Sequence, residues 1–208
     1  MDHEELQRQL ARSEEQLSGR LSRMADAAAA APSRLPRWTR GHLVTHIARN
    51  ADTVANLVEG ARRGEVLTMY GGDVDQRNAD IEAGAARGPD ELRADLGRSA
   101  ARFAAALGAL TDPDWDREVR RVNGTSLTVA ELTAARWLEV EIHHVDLGLD
   151  FRAVDWPEDF VAFALPGQLD RLPQRAPGTT PPQLPDSELL AWLVGRGDAG
   201  LPELPAWP

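Results

Sequence analysis

"WLEVEIHHVDLGLDF", residues 137–151, places four carboxylates and two adjacent histidines inside a segment that otherwise reads as core. On a helix each residue turns about 100°, so positions three or four apart share a face. Glu139, His143 and Asp146 therefore fall on one narrow arc, with Arg136 at its edge. Leu138, Ile142, Val145 and Leu149 border that arc on one side, and Val140 and Leu147 on the other. A polar strip with apolar borders on both sides is expected to face inward. Glu141 and His144 are expected on the remaining, solvent-facing side. "TVAE" at 128–131 has the form of a capping box that opens this helix.

The second histidine site lies in "TRGHLVTHIARNADTVANLVEG", residues 39–60. Thr39 is a good N-cap, and helical periodicity runs to about Arg63. Leu43, Ile47, Val54 and Leu57 define its buried face, with His46 and Asn50 at the edge of the same arc and His42 and Arg49 outside it. One helix thus offers an inward His46 and another an inward Glu139 and His143. Two histidines and one carboxylate suit a divalent metal, Zn²⁺ above all, with positions left open for water or substrate. A core histidine satisfied by hydrogen bonds, and a simple Glu–His pair four residues apart, are the plainer alternatives.

The rest of the chain fits a helical protein. Leu6, Leu10, Leu17, Leu21, Met24 and Ala28 recur at helical steps, which predicts a helix over 3–30. "APSRLPRW" breaks it, "YGG" marks a turn, and a short helix is expected over 74–86. Pro89, Asp90 and Glu91 open another helix. "REVRRVNGTSL" carries an Asn-Gly pair between short β-prone runs, as a small hairpin or tight loop would. Beyond Gly148 the chain turns proline-rich: a helix starts near Pro157, with Pro166 expected to kink or end it. "QRAPGTTPPQLP" reads as a linker and "DSELLAWLVGRG" as a last short helix with an Asp cap and a Gly stop.

Composition narrows the function. The 208 residues carry a net charge of −10, which gives no overall footprint for nucleic acid or an anionic membrane. No signal-like or membrane-length apolar run is present in the sequence, so a cytoplasmic protein is expected. There is no cysteine, so any thiol chemistry needs a thiol brought from outside. All 23 basic residues are arginine, as a GC-rich genome favours.

"WTRGHLVTHIARNADTVANLVEG", followed some ninety residues later by "RWLEVEIHHVDLGLDF", resembles the mycothiol-dependent maleylpyruvate isomerase family, within the larger DinB-like group of metal-binding bundles. The closing "LLAWLVGRGDAGLPELPAWP" is similar to that family's C-terminal signature. The resemblance implies a mainly α fold, an up-down four-helix bundle over 1–150, and a C-terminal region over 151–208. That region is reduced, because "QRAPGTTPPQLPD" is too short and proline-rich for the family's usual sheet. It implies metal ligands at His46, Glu139 and His143, with Asp146 and Asn50 orienting them. It further implies mycothiol held as a metal-bound thiolate, which adds to the cis double bond of maleylpyruvate and leaves after rotation. Arg77 and Arg196 match arginines that would clamp the substrate carboxylates.

Relatives apply the same thiolate to conjugation, so isomerase and S-transferase both stay open. A non-catalytic metal-binding module and a metal-free structural bundle are the alternatives. The expected partners are a small-molecule thiol and an electrophilic substrate, in a monomer or homodimer.

Overall fold

The computed structural model describes residues 1–25 and 28–205, which divide into two compact units, 1–148 and 149–208. The first unit holds α1 (His3–Leu21), α2 (Arg40–Arg62), α3 (Val74–Ala85), α4 (Pro89–Gly108), a hairpin of β1 (Glu118–Arg120) and β2 (Ser126–Thr128), and α5 (Val129–Asp146). The expected caps form: Thr39 and Thr128 each accept the backbone N–H three residues on, and Pro89 occupies the first turn of α4. Residues 121–125 close the hairpin, with Gly124 at φ 82°, a left-handed position that Asn-Gly turns need.

The helices α1, α2, α4 and α5 form the expected bundle, each of α1 and α2 packing on both α4 and α5. α1 and α5 run one way and α2 and α4 the other. Thus Arg49 meets Asp95 and Arg102 meets Glu59 along the parallel pair, while Arg93 reaches the Leu21 carbonyl across the antiparallel one. The chain can descend twice in succession because α3 carries it back up alongside α2. That return is close-packed: a Cβ on Gly41 would strike the Ala85 carbonyl, and one on Gly84 would strike Thr45.

The first helix ends at Leu21, short of the expected residue 30, where 26 and 27 lie outside the described residues. The alanine-rich segment does other work. The carbonyls of Ala29 and Ala31 accept from the N–H groups of Gly41 and Arg40, which begin α2 and have no partner inside their own helix. Arg40 in turn donates to the carbonyls of Leu147 and Gly148 at 2.7 and 2.9 Å, a cation at the negative end of α5. This clasp sets the site. His46 lies six residues into α2 from Arg40, and His143 four residues before Leu147, so both stand about 6–9 Å from the clasp at a rise of about 1.5 Å per residue.

The solvent-facing assignment of Glu141 and His144 is overturned. Both are buried, at 0% and 1% exposure. The face of α5 that carries Glu141 is covered by α1, where Ser13 Oγ donates to the Glu141 carboxylate and accepts from Trp137 Nε1 at 2.9 Å. Helical spacing identifies faces; it does not count how many are covered. Leu138 and Leu149, which border the polar arc, are only half-buried.

Burial pushes the Glu141 carboxyl up to about 7, against the opposing hydrogen bond from Ser13. A folded-state pKa above the unfolded value favours folding below the unfolded pKa, and that advantage is lost as pH rises through about 7. Glu141→Gln should therefore leave the melting temperature nearly unchanged at pH 5. At pH 9 it should raise stability by something on the order of 3 kcal/mol, read by thermal melts of both proteins. Equal effects at the two pH values would refute the assignment.

The second unit contains a 3₁₀ turn (Ala153–Asp155), α6 (Glu158–Arg175) and α7 (Asp186–Leu193), with no strand among its described residues. α6 packs on α7, and Trp156 and Phe160 meet edge-on at 5.5 Å. α6 does not end at Pro166 but continues through Pro173 to Arg175. Pro185, not Asp186, is the N-cap of α7, and no side chain caps it. The Gly stop forms as expected. Gly195 at φ 74° donates to Trp192 O and Arg196 N–H to Ala191 O, the paired bonds of a Schellman ending. No helix among the described residues is long and apolar enough to cross a membrane.

Candidate metal centre

His46, Glu139 and His143 converge where α2 crosses α5. His46 Nε2 lies 3.1 Å from Glu139 Oε2 and 3.1 Å from His143 Nε2, and His143 Nε2 lies 3.2 Å from the same Glu139 oxygen. Three donor atoms about 2.1 Å from one cation would stand about 3.0 Å apart at octahedral angles and about 3.4 Å apart at tetrahedral ones. The triangle falls between these values. Among the described residues this is the cluster whose ligand atoms could all hold one ion. Both imidazoles are buried, while the Glu139 side chain keeps 26% of its surface. The open side of the triangle is therefore at the carboxylate.

The surroundings fix each ring. His143 Nδ1 donates to Asp146 Oδ2 at 2.9 Å, which leaves its Nε2 lone pair aimed at the triangle. Trp38 packs against His46 at 5.4 Å between ring centres. Burial pushes His46 down to about 4, helped by His143 and Arg77, so the ring is neutral as a ligand requires. Burial lowers His143 too, but hydrogen bonds to Asp146 and Glu139 outweigh it and the net direction is up. Burial raises Glu139, yet its bonds to the two histidines hold it well below the usual carboxylate range.

The remaining predicted residues fall as follows. Arg77 on α3 brings Nη2 to 3.0 Å from His46 Nδ1. The Asn50 amide oxygen accepts from Arg136 Nη1 at 3.0 Å. Arg196 lies in the second unit, where its guanidinium donates to the Val194 carbonyl at 2.6 Å.

Three neighbours were not singled out by sequence reasoning: Trp38, Arg136 as a structural tie, and Tyr70. Tyr70 stands over the site's edge, its guanidinium neighbour Arg77 at 5.5 Å from the ring centre. Burial raises its hydroxyl, with the Glu139 charge adding to the effect. It is the chain's one tyrosine and precedes two glycines, a signal the sequence did carry.

A helical bundle with a two-histidine, one-carboxylate triangle at a helix crossing defines a class of bundles whose site could hold one metal ion. Residues 10–148 match the family "Mycothiol maleylpyruvate isomerase N-terminal domain", and the chain belongs to that family. Two solved structures are similar over 100% of this chain and 98% of theirs, at 28% identity. One is a mycothiol-dependent maleylpyruvate isomerase, with a TM-score of 0.88, and the other a histidine-to-alanine variant of such an enzyme, at 0.87. No curated protein sequence matches the chain.

Proposed function

We propose that this protein is a metal-dependent thiol enzyme that uses mycothiol, either as a maleylpyruvate isomerase or as an S-transferase on a related electrophile. The observation that carries the reading is the triangle of His46, Glu139 and His143, with sides of 3.1–3.2 Å and its open edge at Glu139, in a chain of this family. The donor set of two neutral nitrogens and one carboxylate fits a zinc-type ion. When bound there, such an ion lowers the pKa of a coordinated thiol and supplies thiolate near neutral pH.

The chain's own residues then have separate tasks. Asp146 holds the proton of His143 at Nδ1 and so keeps Nε2 available. Arg77 has donors only. A neutral His46 that offers Nε2 as a ligand keeps its proton on Nδ1, where Arg77 finds no acceptor. The guanidinium is then better placed on a substrate carboxylate, where its fork suits two oxygens. For the isomerisation, the thiol cofactor would supply reversible addition at the cis double bond, with the electron pair held on the adjacent carbonyl group until rotation and loss of the thiolate restored the double bond in the trans form. The absence of cysteine fits a chain whose thiol arrives as a soluble cofactor of the cytoplasm.

The test is turnover of maleylpyruvate by the zinc-loaded chain with and without mycothiol, with mass analysis of the products. Thiol-dependent formation of the trans isomer without a conjugate identifies the isomerase; an accumulating conjugate identifies the transferase. Zinc bound in stoichiometric amount with no thiol-dependent reaction across a panel of electrophiles would leave the non-catalytic module instead.

A further inference from the structure

Beside the ligand triangle, a cleft of about 740 Å³ opens between α2, the loop that follows it and α3. We propose that this cleft binds the uncharged, polyhydroxylated portion of the thiol cofactor, with Arg77 and Tyr70 at its inner end. The proposal rests on the thiol-enzyme reading above and assigns it a second, separate binding region.

The lining argues for a neutral polyol. Arg49, Arg63 and Arg77 are matched by Asp52, Glu59 and Asp80, so cations and carboxylates are equal in number. A dianionic substrate would gain from the arginines and be opposed by the three acids. A polyol loses nothing to either sign, because each hydroxyl both donates and accepts. The volume lies within the roughly 300–1,000 Å³ typical of small-molecule sites.

Position argues for the cofactor and not an unrelated ligand. Arg77 lines the cleft and also reaches His46 Nδ1 at 3.0 Å, so the inner end of the cleft borders the ligand cluster. A molecule whose hydroxyls occupy the cleft can extend its other end past Arg77 toward the open edge at Glu139.

The inner wall is also built at some cost. Tyr70 has φ 54°, a left-handed conformation uncommon for a residue with a side chain, and Gly71 and Gly72 continue at positive φ. The strained turn is held by the Tyr70 N–H donating to Thr53 Oγ1 at 2.9 Å. Strain of this kind persists where surrounding contacts over-determine it, and such positions cluster at binding sites.

Calorimetric titration of the zinc-loaded full chain with mycothiol, and separately with N-acetylcysteine, tests the proposal. N-acetylcysteine offers a thiol without the polyol. Gln76→Ala/Asp80→Ala removes two exposed polar groups of the lining, and Asn56→Trp fills the space from α2. Mycothiol should bind the parent more tightly than N-acetylcysteine. Each variant should weaken mycothiol by about tenfold or more, the worth of one good hydrogen bond, and leave N-acetylcysteine affinity, zinc content and melting temperature unchanged. Parent-like mycothiol affinity in both variants, or equal affinity of the parent for the two thiols, would overturn the cleft assignment while leaving the thiol enzyme standing. Failure of both thiols to bind the zinc-loaded parent would instead remove the thiol-enzyme reading, and this proposal with it.

Discussion

His143→Ala should lose tight zinc binding, by well over a hundredfold in affinity, whereas His144→Ala should keep it. The two residues are adjacent and both are buried, so exposure does not distinguish them. Geometry does. α5 is α-helical from Val129 to Asp146, which places His143 one turn from Glu139, and its Nε2 stands 3.1 Å from that of His46. His144 is rotated by about 100° from that direction. His144→Ala still has a cost, because removal of a buried ring leaves a cavity worth about 2 kcal/mol or more. Zinc should therefore be measured by competition with a chelator at a temperature where circular dichroism shows both variants folded. Added zinc should raise the melting temperature of His144→Ala and of the parent, and should not move that of His143→Ala. The opposite pattern would mean that α5 presents a different face to α2 and that the triangle is not the metal site.

What the sequence made legible follows from which physical rule acts locally. The Glu139–His143–Asp146 arc depends only on helical turn, and Thr39 and Thr128 act on backbone groups three residues away, so both could be read from spacing. The pairing of His46 with them depends on the Arg40 clasp across 107 residues, which no local pattern announces. Burial of Glu141 and His144 was misjudged for a related reason. A polar side chain facing α1 looks no different in sequence from one facing water, until Ser13 is found opposite it. The early end of α1 shows the converse limit: the apolar spacing through Met24 and Ala28 predicts helix to residue 30, whereas the carbonyls of Ala29 and Ala31 serve the start of α2. Tyr70 and Trp38 reach the site from loops, where no periodicity points to them.

Arg136→Met should cost about 3–5 kcal/mol of stability, the largest loss expected from a residue outside the triangle. The Arg136 side chain is fully buried, and Glu14 beside it keeps only 14% of its side-chain surface. Its Nε and Nη2 meet Glu14 Oε1 at 3.2 and 3.0 Å, and Nη1 donates to the Ile47 carbonyl at 2.9 Å and to Asn50. One guanidinium thus ties α5 to both α1 and α2. Burial already raises the Glu14 carboxyl, with Arg136 pulling the other way. Methionine keeps much of the volume but leaves that carboxylate without its buried donor and removes the second bond to the Ile47 carbonyl, and an unpaired buried charge is costly. Denaturant unfolding of the metal-free chain measures the loss directly. Glu14→Gln/Arg136→Met should recover part of it, because a neutral amide removes the stranded charge. Ile47 follows His46, so release of its carbonyl also loosens the backbone that aims the ring. Arg136→Met should therefore weaken zinc binding even under conditions where the variant is fully folded. A variant that matched the parent in both unfolding midpoint and zinc affinity would show that the three helices are held together, and the site aimed, without this arginine.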